Sequence, residues 1–288
     1  MNTKINRRQA LKSSIGLFGL AYLGAPEAFA KDKNARFKIG ACDWSIEQQA
    51  KIEAIQVGKE IGLDGVQVSL GTLGDDMHLR QEEIQQKYNA ACEKYDMAIG
   101  GIAIGEMNNV PYKSDPRAEQ WVSDSIDVAR KMDCKVVLLA FFNKGDLKND
   151  AEGTQETIKR LKKVAPKAEE NGIILGIESW LSAEEHIDIL NAVDSPNVKV
   201  YYDVANSHKM GYNIYDEIRQ LGKENICEFH VKENGYLLGQ GKIDFQEVRK
   251  AIDEIQYEGW MQIEGAIPEN AEMFDSYVLN NTYIRSVF

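Results

Sequence analysis

The sequence predicts an α/β protein folded as a single (β/α)8 barrel, and three observations carry that reading. Eight short apolar runs recur along the chain, each ending in polar residues and each too short for a helix. Between them lie stretches whose apolar residues repeat with helical period. Eight such units in about 250 residues make one closed barrel, and no Pro-, Gly- or Ser-rich linker divides the 288-residue chain.

The elements follow in order. Strands are expected at Phe37–Asp43, Gly65–Ser69, Ala98–Ile104, Lys135–Phe141, Ile173–Glu178, Val198–Asp203, Ile226–His230 and Trp260–Glu264. Several are rich in Val and Ile without alternation, as strands buried on both faces are. Ile84, Tyr88, Ala91 and Tyr95 give one apolar stripe between the second and third strands. Val248, Ile252 and Ile255 give another before the eighth. Pro166 lies within the helical segment before Ile173, so that helix should kink or begin anew there. The competing fold, an open doubly wound sheet, would usually place Gly-x-Gly-x-x-Gly after an early strand. Here the first strand runs into Cys42-Asp43-Trp44-Ser45, and Gly239-Gln240-Gly241 comes too late.

Residues 1–30 are read as a signal peptide, leaving residues 31–288 for the barrel. Arg7 and Arg8 precede an apolar run from Ile15 to Leu23, and Ala28-Phe29-Ala30 is a small-x-small cleavage site. Arg7-Arg8 with Leu11 and Lys12 looks like a twin-arginine signal. The expectation is therefore a periplasmic protein with no membrane attachment after cleavage. A homo-oligomer is left open.

Composition excludes some functions. With 43% hydrophobic and 27% charged residues the chain is ordinarily globular. A net charge of −11 lacks the basic footprint that nucleic acid requires. Cys42, Cys92, Cys134 and Cys227 have neither zinc-ribbon nor Cys-x-x-Cys spacing, and no function is placed on them.

The chemistry lies at the last four strand ends. They finish in Glu178, Asp203, His230 and Glu264, at the face where barrels carry their active sites. Singly, each has another reading: a solvated rim carboxylate, a structural histidine, or, for Asp203, a cap of the next helix. Together, three carboxylates and an imidazole would repel unless a cation sat between them. Oxygen and nitrogen donors without thiolate suit Mn2+, Mg2+ or Co2+, with Zn2+ as an alternative.

These residues stand as Ile-Glu178-Ser-Trp, Tyr-Asp203-Val-Ala-Asn, His230-Val-Lys-Glu and Ile-Glu264-Gly. In that order and spacing, with Leu238–Phe245 between the last two, residues 37–288 resemble the xylose isomerase-like TIM barrel superfamily, in its sugar isomerase/epimerase branch. The resemblance implies that Glu178, Asp203, His230 and Glu264 bind one divalent metal, usually manganese. It further implies that Glu178 and Glu264 flank the reacting carbon, one removing a proton beside a carbonyl and the other returning one through an enediolate.

The chain departs from the branch's ketose 3-epimerases at two points. Asn206 stands where they carry a His three residues after the metal Asp, and no Arg follows His230 closely. His208 is a candidate substitute. Lys232, two residues past His230, resembles the His-x-Lys of dehydratase-like relatives and is a candidate acid for a leaving oxygen. Trp44 and Trp180 are candidate sugar-stacking rings. With Lys144 and Lys232 the only cations near the strand ends, phosphate capture is not expected. The reading is a metal-dependent isomerase or epimerase of a neutral carbohydrate. The alternative is a lyase or dehydratase eliminating from a 3-keto sugar or keto-glycoside at the same site. An abasic-site endonuclease would need several histidines for three zinc ions, and this acidic chain has four histidines in all.

Overall fold

The computed structural model describes residues 35–288; the signal-peptide reading of residues 1–30 lies outside them. Eight parallel strands follow in sequence order: β1 (Phe37–Cys42), β2 (Gly65–Ser69), β3 (Ala98–Ile104), β4 (Val136–Phe141), β5 (Ile174–Ser179), β6 (Val198–Asp203), β7 (Ile226–Glu233) and β8 (Gly259–Gly265). β8 pairs back onto β1, from Phe37 opposite Gly259 to Ala41 opposite Ile263, and closes the (β/α)8 TIM barrel. The α-helices around it are α1 (Ala54–Ile61), α2 (Glu82–Tyr95), α3 (Pro116–Lys131), α4 (Ala151–Asn171), α5 (Ala183–Val193), α6 (Val204–Lys209), α7 (Ile214–Asn225), α8 (Phe245–Glu254) and α9 (Met273–Val287).

Outward-facing strand residues such as Ile39, Val68, Ile177, Val200, Phe229 and Ile263 pack beneath the helices in one buried layer. The α2 stripe does what its period predicts. Tyr88 is fully buried, and Ile84, Ala91 and Tyr95 pack against the same layer. Burial of each such large apolar side chain contributes about 1.5–3 kcal/mol. Local signals set the helix ends. Asp115 caps α3 ahead of Pro116, Ser182 and Glu185 form a capping box on α5, and Gly62 and Gly172 end α1 and α4 in the left-handed region.

At Pro166 the helix does not begin anew: α4 continues through it from Ala151 to Asn171. Proline forfeits one backbone hydrogen bond, but Leu161, Val164, Ala165 and Ala168 bury one face on both sides of it.

Inside the barrel, the first and last strands divide the space unequally. Trp260 and Gln262 of β8 reach across to glycines of β1, β2 and β3. A side chain at Gly40 would collide with Gln262, one at Gly65 with Trp260, and one at Gly100 with Gln262 and Trp260. Two register shifts tune the inward set. β3 gains a residue between Val66–Ile99 and Gln67–Gly101, and β7 gains one between Val200–Ile226 and Tyr201–Glu228. β7 also extends past His230 to Glu233, so His230 and Lys232, two apart, face the same side.

Candidate metal centre and active site

The side chains of the four predicted residues converge at the C-terminal mouth. Asp203 lies opposite His230, and Glu264 opposite Lys232. One ligand atom from each of Glu178, Asp203, His230 and Glu264 falls within 4.8 Å of the other three. His230 Nδ1 is 3.0 Å from Glu178 Oε1, 3.4 Å from Glu264 Oε2 and 3.9 Å from Asp203 Oδ2. Donors about 2.0–2.3 Å from a shared ion stand about 3 Å apart at right angles and about 4.5 Å apart when opposite. The observed separations match that range.

Asp203 serves two ends at once. Its Oδ1 accepts the Ala205 and Asn206 backbone N–H groups at 2.8 and 2.9 Å, capping α6. Its Oδ2 is buried and accepts no hydrogen bond. A buried carboxylate oxygen without a hydrogen bond is costly, and here it faces His230, the two glutamates and, at 3.6 Å, the Lys232 ammonium. That orphaned oxygen, with the other donors around it, fits a divalent cation.

The electrostatics agree. Burial pushes the Asp203 carboxyl up to about 7, with Lys232 opposing and Glu264 and Glu178 adding to it. Burial would also raise Glu264, but the His230 and Lys232 charges, with hydrogen bonds from Lys232 and Trp44, hold it down at about 2. At His230 burial opposes the charged ring, and Cys42, Glu178 and Glu264 outweigh it, so its pKa stands well above the ordinary value. Three carboxylates therefore surround one imidazole in a dry site. The Cys42 thiol is pushed up to about 12, chiefly by burial, and stays protonated, so it offers no thiolate ligand.

Glu264 is clamped from two sides: Trp44 Nε1 donates to Oε1 at 3.0 Å and Lys232 Nζ donates to Oε2 at 2.9 Å. Lys232 Nζ is also 3.6 Å from Asp203 Oδ2. Glu178 is held more lightly, with Asn206 Nδ2 donating to Oε1 at 3.4 Å. A cavity of about 480 Å³ opens over these groups, and Trp44, Trp180, Asn206, Glu178, Lys232 and Glu264 line it. The Trp180 ring meets Phe142 edge-on at 4.8 Å, and Lys209 covers it at 4.9 Å.

His208 is not brought to the site. It is exposed and does not line the cavity, although Asn206, two residues earlier, is buried against Glu178. Both lie on α6, where two positions turn the side chain by about 200°; the candidate substitution of His208 is corrected accordingly. Lys144 is likewise exposed and outside the lining.

Other residues at the mouth escaped the sequence reading. Ser69, Glu106, Asn108 and Asn143 line the cavity from β2 and the loops after β3 and β4. Asp43, fully buried, accepts Ser69 N and Oγ at 2.8 Å each and Ala50 N at 3.0 Å. It braces the loop bearing Trp44 and Gln49. Its position at a strand end was the available signal.

An anionic oxygen-and-nitrogen pocket at the mouth of a closed parallel barrel defines a class of metal-site (β/α)8 proteins. Residues 55–277 match the xylose isomerase-like TIM barrel family, and the chain belongs to that family. Its homologues include sugar epimerases. D-psicose 3-epimerase of Enterocloster bolteae is 24% identical over 217 residues, covering 69% of this chain and 71% of that protein. Among solved structures, D-psicose 3-epimerase of Clostridium cellulolyticum H10 superposes with a TM-score of 0.74 at 18% identity, over 87% of this chain and 99% of that one. The 3-keto-D-glucoside 4-epimerase of E. coli does so at 0.71 and 14%, over 87% and 99%. These two superpositions show the shared fold. Among the described residues, no helix is long and apolar enough to cross a membrane.

Proposed function

We propose that the chain is a divalent-metal-dependent epimerase or isomerase of a neutral sugar, moving a proton beside a carbonyl. The observation that carries this reading is the pairing of Glu178 and Glu264. They reach one point from β5 and β8 across the barrel mouth, and both line the cavity. A divalent ion held by Glu178, Asp203, His230 and Glu264 would polarise the carbonyl and acidify the adjacent C–H; Mn2+ is among the ions this donor set suits. Either carboxylate can take the proton on its own side while the other returns one, which inverts a carbon or shifts the carbonyl. Trp44 and Lys232 fix the direction of Glu264, and Asn206 that of Glu178. The sugar epimerases among the homologues support the same chemistry.

The cavity lining supports an uncharged polyol. Gln49, Asn108, Asn109, Asn143 and Asn206 present amides, and Trp44, Phe142 and Trp180 present rings. Lys232 is the cation among the described lining residues, and Glu264 already engages it.

One observation favours a second reading, elimination from a 3-keto sugar or keto-glycoside. Lys232 places an ammonium inside the cavity beside a candidate base, where it can meet a departing oxygen. Incubating Mn2+-loaded protein with free ketoses and with 3-keto-glycosides in D2O separates the two by NMR. Deuterium entering carbon with interconversion of sugars supports the epimerase; release of the glycosidic group supports the lyase; neither event refutes both.

A further inference from the structure

We propose that Gln67, in the middle of β2, is a positioning residue that fixes which nitrogen of His230 faces the metal site. The inference rests on the metal reading above and concerns a side chain that contributes no ligand atom.

Gln67 is fully buried inside the barrel, beneath the four ligands. Its Oε1 lies 2.8 Å from His230 Nε2 and accepts the Cys42 thiol at 3.1 Å. Its Nε2 donates to the Tyr201 hydroxyl at 3.0 Å, and that hydroxyl donates to Glu228 Oε2 at 2.9 Å. The chain of bonds has one direction. The Tyr201 hydroxyl donates to Glu228 and accepts from Gln67, and the Cys42 thiol donates to the other end of the Gln67 amide. The amide nitrogen of Gln67 therefore faces Tyr201, and its carbonyl faces His230. An acceptor opposite Nε2 requires that Nε2 carry the proton. Without metal, Nδ1 also carries a proton toward Glu178 Oε1, 3.0 Å away; a bound cation would displace that proton and not the one on Nε2, leaving the Nδ1 lone pair toward Glu178, Asp203 and Glu264.

An imidazole free to choose would spend part of its time with the proton on Nδ1, where it blocks coordination. Groups that orient a ligating histidine through its other nitrogen typically change metal affinity by about 10–100-fold when removed. Gln67 and Tyr201 are both buried, and neither lines the cavity.

Mn2+ affinity, read by EPR of the free ion, gives the test in wild type, Gln67→Leu and Gln67→Glu, with thermal melting of each metal-free protein alongside. Gln67→Leu should bind Mn2+ about 10–100-fold more weakly, and Gln67→Glu, which restores an acceptor, should recover most of that loss. A folded Gln67→Leu that binds as wild type does, or a Gln67→Glu as weak as the Leu variant, overturns the role. Wild type that binds no Mn2+ overturns the metal reading and this role with it. Should the variants fail to fold, 15N NMR of histidine-labelled wild type loaded with Zn2+ decides. The His230 proton is expected on Nε2 and protected from solvent exchange; a proton on Nδ1, or free exchange at Nε2, refutes the proposal.

Discussion

Acidification should loosen the turn that carries Trp180, because the protein buries His186 in its neutral form. His186 is 4% exposed. Its Nδ1 lies 3.0 Å from the Ser182 carbonyl and its Nε2 2.9 Å from Ser179 Oγ, which also accepts the Leu181 N–H at 3.1 Å. Ser179 directly follows Glu178, so these bonds pin the backbone on which Trp180 sits. Burial lowers the His186 pKa from 6.5 to about 4, against smaller opposing contributions from Ser182 and Glu185. As the fourth residue of α5, it also sits at the positive end of the helix dipole. Between those pH values the unfolded chain binds a proton that the folded protein refuses. The contribution of neutral His186 is therefore complete above about pH 6.5 and is lost as pH falls toward 4. At 1.36 kcal/mol per unit, the loss is about 3 kcal/mol, a large part of a typical domain stability. Urea unfolding of wild type and His186→Gln across this range isolates the group. Asp43, which burial raises to about 6 and which titrates with the opposite sign, is common to both proteins. The stability difference between them should shift by about 3 kcal/mol against wild type on acidification. A difference that stays constant across the range refutes the argument.

Three further outcomes are expected. Glu264→Gln should lower turnover by about 10²–10⁴ if Glu264 moves the proton, with circular dichroism confirming an intact fold; near-normal turnover removes Glu264 from the chemistry. Lys232→Met should cost elimination from a 3-keto-glycoside a comparable factor if Lys232 is the acid for the departing oxygen, while proton exchange in D2O falls only modestly; unchanged elimination removes that role. For export, N-terminal sequencing should place the mature start at or near Lys31. Replacing Arg7-Arg8 with two lysines should retain the protein in the cytoplasm, whereas unchanged export points to the general secretory route.

What the sequence disclosed depends on how visible each group's chemistry is. Glu178, Asp203, His230 and Glu264 are ionisable residues closing apolar runs, so their convergence followed once the runs were counted as barrel strands. Asp203 shows that two readings of one residue need not compete: one oxygen caps α6 and the other faces the site. Gln67 and Tyr201 stayed hidden because neutral polar residues mid-strand leave no mark until the barrel closes and shows what they touch. Asn108 and Asn143 lie on loops, where spacing carries no period. His208 was misplaced because its distance from Asp203 was read along the chain, while α6 turns it outward. The β7 bulge, which sets the inward series Glu228, His230 and Lys232, has no local signature in Ile226-Cys227-Glu228.

The unequal sharing of the interior between β8 and the glycines of β1 to β3 also bears on how such a protein can diversify. The four candidate ligands sit on β5 to β8, whereas the first three strands contribute glycines that make room for Trp260 and Gln262. Their loops, with the one after β4, supply Trp44, Gln49, Asn108 and Asn143 to the cavity wall. Change in that half can reshape what the cavity accepts while leaving the proton-moving residues in register. Gly65 is the most restricted of these glycine positions, since a side chain there would meet the Ala98 carbonyl and the Trp260 ring at 2.5 Å each, whereas at Gly40 and Gly100 the first group displaced is the Gln262 amide. The two halves still meet at Trp44, whose indole holds Glu264, and at Gln67, which touches His230.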